Sequence, residues 1–168
     1  MPKIIENLES RLIEEARRQI EAVGYRGVTI RSVASACGVG IGTFYNYFSS
    51  KNDLVATYLL EDWSSCMASV DQVCQQATEP EPVVRCMFDQ LISYAARHQN
   101  VFRDEVAAAD FSGAQSPYHA LLRQQLAAPM RKFCEDDFAA EFIAEAMLLW
   151  TMEGKPFQQI YGMIKKIF

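Results

Sequence analysis

Apolar residues recur along most of this chain at helical spacing. Leu8, Leu12, Ala16, Ile20 and Val23 follow one another at intervals of four, four, four and three, which places them on one face of a helix. Glu14, Glu15, Arg17 and Arg18 fall mostly off that face. Gly24 comes next and can adopt the left-handed backbone that ends a helix, so the first helix is expected to stop near Val23. Thr29 reads as the N-cap of a second helix, with Ile30, Val33, Ala34 and Cys37 at i, i+3, i+4 and i+7. Gly38 stops this helix, and a third short one is expected from Gly40 to Tyr47, with Phe44 and Phe48 directed inward. Ser50-Lys51-Asn52-Asp53 reads as a capping box, Ser50 capping and Asp53 reaching back. The fourth helix that it opens meets no strong breaker before Pro80.

Beyond that point Glu79-Pro80-Glu81-Pro82 reads as a break, and the segment from Val84 to His98 as a helix. Another helix is expected from Phe102 to Ala109, then a loop at Asp110-Phe111-Ser112-Gly113. Ser116-Pro117 has the form of an N-cap followed by proline at the first helical position, starting a helix toward Lys132 with Pro129 near its end. Asp136 and Asp137 suit the start of a helix that continues to Met152. Gly154 and Pro156 break it, and a last helix begins at Phe157 and runs to the end. No segment alternates as a strand would, so the fold class is all-α, with about nine helices.

Half of the 168 residues are hydrophobic, which disfavours disorder. No apolar run approaches the ~18 residues that a membrane span needs, and no membrane partner is expected. The opening Met1-Pro2-Lys3-Ile4-Ile5-Glu6 reaches a carboxylate too early for a secretory leader, so a cytoplasmic location is expected. Five cysteines are scattered without a Cys-x-x-Cys pair, and there are two histidines, so neither a zinc site nor a disulfide framework is expected, nor any cofactor. The cysteines read as structural thiols, a redox-sensing role for one of them being the alternative.

Net charge is −5, which by itself argues against nucleic acid. Its distribution changes the picture. Residues 1–60 carry seven basic and six acidic side chains, and no carboxylate lies between Glu21 and Asp53. That acid-free stretch holds Arg26, Arg31 and Lys51 and can approach phosphates without like-charge repulsion.

Two short helices joined by a glycine-containing turn are the minimal device for presenting a helix to the DNA major groove. Ile30, Val33, Ala34, Cys37, Val39, Phe44 and Phe48 would lock the pair from inside. Gly40, Thr43, Tyr45, Asn46 and Tyr47 are left to point outward, where hydroxyls and an amide suit base edges and phosphates. The glycines at 38, 40 and 42 do not make a nucleotide loop, because the spacing differs and the preceding segment is helical by period.

Residues 11–54, above all Gly38-Val39-Gly40-Ile41-Gly42-Thr43-Phe44-Tyr45-Asn46-Tyr47-Phe48-x-x-Lys51-x-x-Leu54, resemble the tetracycline-repressor (TetR/AcrR-type) family. The resemblance implies a three-helix helix-turn-helix domain over residues 1–50 and a helical ligand-binding and dimerisation domain over residues 51–168. It implies that Thr29 starts the second helix and bonds a phosphate, that Thr43 and Tyr45 face bases or nearby backbone, and that Asn46 touches DNA. Tyr47 and Lys51 would contact phosphates, with Arg31 close by in the acid-free stretch. Gly40 replaces a common serine and removes a side-chain cap. Ile41 replaces a frequent polar residue and could meet a thymine methyl or turn inward.

The resemblance also implies an effector pocket among the later helices, for which Trp63, Met67, Phe88, Tyr94, Tyr118 and Met147 are candidates; the same composition describes a filled core. The segment from Phe138 to Trp150 is nearly apolar all round apart from two glutamates, which suits a helix covered on more than one side. A homodimer is expected there, through Phe138, Phe142, Ala144, Trp150, Phe157 and Ile160. The expected function is a DNA-binding transcription regulator, a repressor released from a near-palindromic operator by a small-molecule effector. A helical protein–protein adaptor and a thiol-responsive regulator are the alternatives. No G-x-S-x-G, paired-histidine helix or phosphate loop is present, so an enzyme is not expected.

Overall fold

A computed structural model describes residues 7–111, 113 and 116–168. Ser112 of the expected loop and the Met1–Glu6 stretch lie outside the described residues. Ten helices follow in order among those described: α1 Leu8–Gly27, α2 Ile30–Ala36, α3 Ile41–Phe44, α4 Lys51–Gln76, α5 Pro80–Arg97, α6 Gln99–Phe102, α7 Glu105–Phe111, α8 Pro117–Met130, α9 Asp137–Met152 and α10 Phe157–Ile164. No strand occurs among the described residues. None of these helices is long and apolar enough to cross a membrane.

The first helix illustrates how one glycine redirects a face. Leu8, Leu12, Ala16 and Ile20 are buried, as their spacing predicts. At Gly24 the backbone turns to φ 73°, a region open to glycine and strained for other residues. The helical face is lost there, so Val23 is exposed and Tyr25 is buried in its place. A single further turn then carries the chain to Gly27.

Several helix starts follow the sequence signals. Ser116 Oγ accepts from the Tyr118 and His119 amides, and Asp136 caps α9 by accepting from the Ala139 amide at 2.7 Å. Four expectations are corrected. The break expected at Glu79–Pro82 falls slightly earlier, between Gln76 and Pro80, and Pro80 and Pro82 lie in the first turn of α5, where a missing N–H costs no internal bond. The helix expected over Phe102–Ala109 starts later, at Glu105, and a short α6, Gln99–Phe102, precedes it, which makes ten helices among the described residues where about nine were expected. Asp104 ends one and caps the next, accepting from the Val106 and Ala107 amides at 3.0 and 3.2 Å. α7 then continues through Asp110 and Phe111, which had read as loop. At the C-terminus α10 stops at Ile164 instead of running to the end.

The chain forms two compact units that do not follow chain order. The first takes Met1–Glu61 with Gln99–Ser112, and the second takes Asp62–His98 with Gly113–Phe168. In the first unit α1 packs on α2 and α6, and α2 on α3. In the second, α9 is central and packs against α5, α8 and α10. Ala140, Ile143, Ala144, Met147 and Leu148 turn inward there, each less than a twentieth exposed.

Candidate nucleic-acid interface

The α2–α3 pair is set by local chemistry. Thr29 Oγ1 accepts from the Ser32 amide at 3.0 Å, and Ser32 Oγ accepts in return from the Thr29 amide at 3.1 Å. Ser32 Oγ also donates to Gln19 Oε1 of α1 at 2.6 Å, tying this cap to its neighbour. At the other end of α2, the Val39 amide bonds to the Ala34 carbonyl and the Gly38 amide to the Ser35 carbonyl, each at 3.0 Å. This is the doubly bonded helix end that needs a left-handed residue, and Gly38 supplies it with φ 73°. Arg11 reaches from α1 to the Cys37 carbonyl at 3.3 Å.

α3 is shorter than expected. Helical bonding runs from Ile41 to Phe44, and then the Asn46 and Tyr47 amides return to the Thr43 and Phe44 carbonyls as tight turns. Gly40 at its N-cap offers no side-chain bond, as the exchange of serine for glycine predicts. Phe44 and Phe48 are buried with ring centroids 5.7 Å apart. Tyr45 and Tyr47 are about half exposed, Asn46 and Gly40 are exposed, and Thr43 is partly so. Ile41 is 36% exposed, so it does not turn inward. Thr29 and Arg31 are exposed on the same two-helix unit.

The cations behave differently from what the sequence suggests. Arg26 is not available as a bare charge: Asp104 lies 3.0 Å from it and Glu105 3.7 Å. Lys51 turns inward and donates to the carbonyls of Tyr25 at 3.0 Å and Val28 at 3.1 Å, with its ammonium 3.9 Å from the Tyr25 ring centroid. Partial burial lowers its pKa, against the pull of Asp104. An ammonium has three N–H donors, and two are used on this junction. Arg31 remains outward and makes no ion pair among the described residues.

Tyr25 is the residue that sequence reasoning missed. Its hydroxyl donates to Asn52 Oδ1, Asn52 donates in turn to Asp110, and its ring meets Phe111 edge-on at 6.4 Å. It thus joins α1, α4 and α7 inside the first unit. Its position directly after a helix-ending glycine was the available signal. At the start of α4, Ser50 caps the Asp53 amide at 3.0 Å, but Asp53 reaches back to the amide and hydroxyl of Ser49, one residue earlier than expected.

In the second unit the six candidate pocket residues separate. Trp63, Tyr94 and Tyr118 come together: Trp63 and Tyr94 meet edge-on at 5.3 Å, and the Tyr94 and Tyr118 hydroxyls hydrogen-bond. Phe88 lies elsewhere, against Phe157 at 5.5 Å. Met67 and Met147 are buried. The candidate dimer residues also divide. Ala144, Phe157 and Ile160 are buried within the chain's own unit, whereas Phe138, Phe142 and Trp150 are exposed, Phe138 by 76%. Leu149 and Met152 extend the exposed set along α9.

Burial raises the thiol pKa of Cys37, Cys66, Cys86 and Cys134, which leaves these sulfurs protonated and poorly reactive. Among the described residues no group of three or more His, Cys, Asp or Glu side chains is placed to hold a metal.

Comparison with known proteins agrees with this geometry. Residues 12–58 match the family described as "Bacterial regulatory proteins, tetR family". The HTH-type transcriptional regulator Mb1846 of Mycobacterium bovis is 30% identical over 67 residues, which is 40% of this chain and 29% of that protein. The chain therefore matches under a third of the length of this curated relative. The same fold occurs in the TetR family repressor AlkX from Dietzia sp. strain DQ12-45-1b, with a TM-score of 0.67 and 17% identity over 95% of this chain and 92% of that one. It occurs also in Thermus thermophilus FadR, a TetR-family repressor in complex with lauroyl-CoA, with a TM-score of 0.66 and 20% identity over 94% and 91%. The matched segment carries the caps, glycine turn and outward aromatic helix just described, and through that segment the chain is similar to the tetR family of bacterial regulatory proteins.

Proposed function

We propose that this protein is a transcription regulator that binds a near-palindromic duplex as a homodimer, represses from it, and is released by a small-molecule effector. One observation carries the DNA-binding part. Ile41, Tyr45, Asn46 and Tyr47 stand outward on a two-helix unit whose interior is fastened by Phe44 and Phe48. Hydroxyls, an amide and an apolar tip on one rigid turn, with no carboxylate among them, match what base edges and phosphates require. Thr43 and Gly40 complete the approach surface, while Thr29 and Arg31 supply phosphate contacts from α2. Lys51 holds the α1–α2 junction and has one N–H left for a phosphate.

The dimer reading is supported by α9. One of its faces is packed inside its own unit, yet Phe138, Phe142, Leu149 and Met152 lie on the other and remain exposed, with Trp150 beside them. Contiguous apolar surface of this kind marks an association site. Two copies related by a twofold axis would place two recognition turns on successive grooves. In this reading the described residues of the second unit form the effector and dimerisation domain. The outward HTH surface favours a DNA regulator over a general helical adaptor, and the raised thiol pKa values of Cys37, Cys66, Cys86 and Cys134 disfavour a thiol switch at those four residues.

The test is selection of duplexes from a random-sequence pool by the full chain, followed by sedimentation of the complex. The expected result is an inverted repeat bound by an even number of chains. Failure to enrich any sequence overturns the proposal.

A further inference from the structure

Three helices of the second unit are joined by three polar pairs, one for each pair of helices. Trp63 of α4 donates its indole N–H to Gln125 of α8 at 2.6 Å. Tyr94 of α5 shares a hydroxyl hydrogen bond with Tyr118 of α8. Asp62 of α4 lies 3.0 Å from His98, the C-cap of α5. Trp63 and Tyr94 are 1% exposed, His98 5% and Tyr118 7%. Gln125 and Asp62 are partly exposed, so the set has a buried centre at Trp63, Tyr94, Tyr118 and His98 and reaches toward the surface at its two other members. Packing alone does not require it, because apolar side chains of similar volume would stabilise the same helices at least as well. Hydrogen bonds of this kind have a second property. A ligand that offers matching groups can take over each of them at little net cost, since one hydrogen bond is exchanged for another.

The chemistry of the set limits what it can accept. Two aromatic faces, Trp63 and Tyr94, meet edge-on at 5.3 Å and favour a flat ring. The Tyr94 phenol is held neutral by burial, with Tyr118 adding to that effect. Both tyrosines therefore offer hydroxyls that donate as well as accept. The Arg97 guanidinium and the His98 ring already face a carboxylate, lying 3.9 and 3.0 Å from Asp62. An incoming anion would lose its hydration and compete with Asp62 for them, which is unfavourable.

We propose that this triangle is the recognition surface for a small, uncharged aromatic molecule bearing a hydroxyl group, which binds by replacing the Tyr94–Tyr118 hydrogen bond. The assignment rests on the reading of this unit as the effector domain. The molecule stacks against Trp63, places its hydroxyl between the two tyrosines, and separates α5 from α8 at that point.

Calorimetry on the full chain tests this with four probes: phenol, 1-naphthol, benzoate and dodecanoate. The neutral hydroxylated rings are expected to bind, with benzoate at least about tenfold weaker, a difference of roughly one hydrogen-bond exchange. The Tyr94→Phe/Tyr118→Phe double variant removes both partners and keeps both rings, so it should fold. It should bind 1-naphthol at least about tenfold more weakly than the parent. The proposal is overturned if benzoate or dodecanoate binds as tightly as 1-naphthol. It is equally overturned if the folded double variant keeps full 1-naphthol affinity, or if neither phenol nor 1-naphthol binds up to its solubility limit. The selected duplex separates this outcome from failure of the regulator reading. A protein that binds no duplex defeats that reading whatever the calorimetry shows. A bound duplex released by dodecanoate and not by 1-naphthol leaves it standing and defeats only the assignment made here.

Discussion

The α2–α3 turn and the α4–α5–α8 triangle use opposite arrangements of the same materials. In the turn the interior is apolar, built on Phe44 and Phe48, and the hydroxyls and amide of Tyr45, Asn46 and Tyr47 face out. In the triangle the Tyr94 and Tyr118 hydroxyls pair with each other, the Trp63 indole pairs with the Gln125 amide, and the buried His98 ring lies 3.0 Å from Asp62. Outward polar groups on a rigid apolar support are ready for a polar polymer without rearrangement. Inward polar groups can meet a ligand only if the packing around them opens. The first arrangement suits constant readiness to bind, and the second suits a conditional response.

The support of the turn should be the most sensitive point. Phe44 is fully buried, so Phe44→Ala is expected to destabilise the first unit by about 3–5 kcal/mol and abolish duplex binding. Denaturant unfolding with a binding assay checks both. If binding survives with native affinity, the turn does not depend on its interior as claimed.

A second contrast lies within α9, between its two faces. Ala144 is 0% exposed, so Ala144→Glu should bury an uncompensated charge and unfold the chain at a cost of several kcal/mol. Phe142 is half exposed, so Phe142→Asp should leave the fold intact and give monomers in sedimentation. A folded Phe142→Asp variant that stays dimeric would move the interface elsewhere.

The triangle should respond less severely, and with a particular signature. Gln125→Leu leaves the Trp63 indole N–H without its partner and is expected to cost about 1–3 kcal/mol. Adding Trp63→Phe removes the orphaned donor, so the double variant should lose less than the sum of the two single changes. Strict additivity in that cycle would mean the pair is not coupled.

These examples also show what was legible in the sequence. Thr29, Gly38, Ser50, Ser116 and Asp136 act on amides or carbonyls within a few residues, so each helix boundary they set could be read from neighbours alone. The inward Phe44 and Phe48 followed from spacing. Other features depend on partners far along the chain. Arg26 meets Asp104, and Trp63 meets Gln125, 62 residues away. Periodicity carries no information about such pairs. Charge counting therefore made Arg26 look available to phosphates, although a distant carboxylate neutralises it. Composition did flag Trp63, Tyr94 and Tyr118 as one candidate set, but it could not separate them from Phe88, whose partner is Phe157. The two-sided apolar character of α9 was evident in advance, whereas the choice of face was not: Ala144 is on its buried face, and Phe157 and Ile160 of α10 are buried too.

The smallest expected effect belongs to the exposed charges of α1. Arg18 donates to Glu15 at 2.6 and 2.9 Å, and with Gln19 it holds the Glu15 pKa at about 2, below the ordinary 4.5. A depressed carboxylate pKa stabilises the fold at and above about pH 4.5, and the contribution is lost as pH falls through about 2. Solvent screening limits it to below about 1 kcal/mol, because the Arg18 side chain is 67% exposed. Glu15→Gln should therefore narrow its stability difference from the parent as pH drops from 5 to 2, as measured by denaturant unfolding at each pH. A difference that is constant with pH would contradict this.

The most direct measurement pairs stability with duplex affinity in a Thr43→Ala/Tyr47→Phe variant. Both changes lie on the outward side of the recognition turn, so unfolding free energy should stay within about 0.5 kcal/mol of the parent. Affinity for the selected duplex should fall by about 1–3 kcal/mol for each lost contact, tenfold or more in all. Parental affinity in the folded variant would contradict the assignment of this surface to DNA.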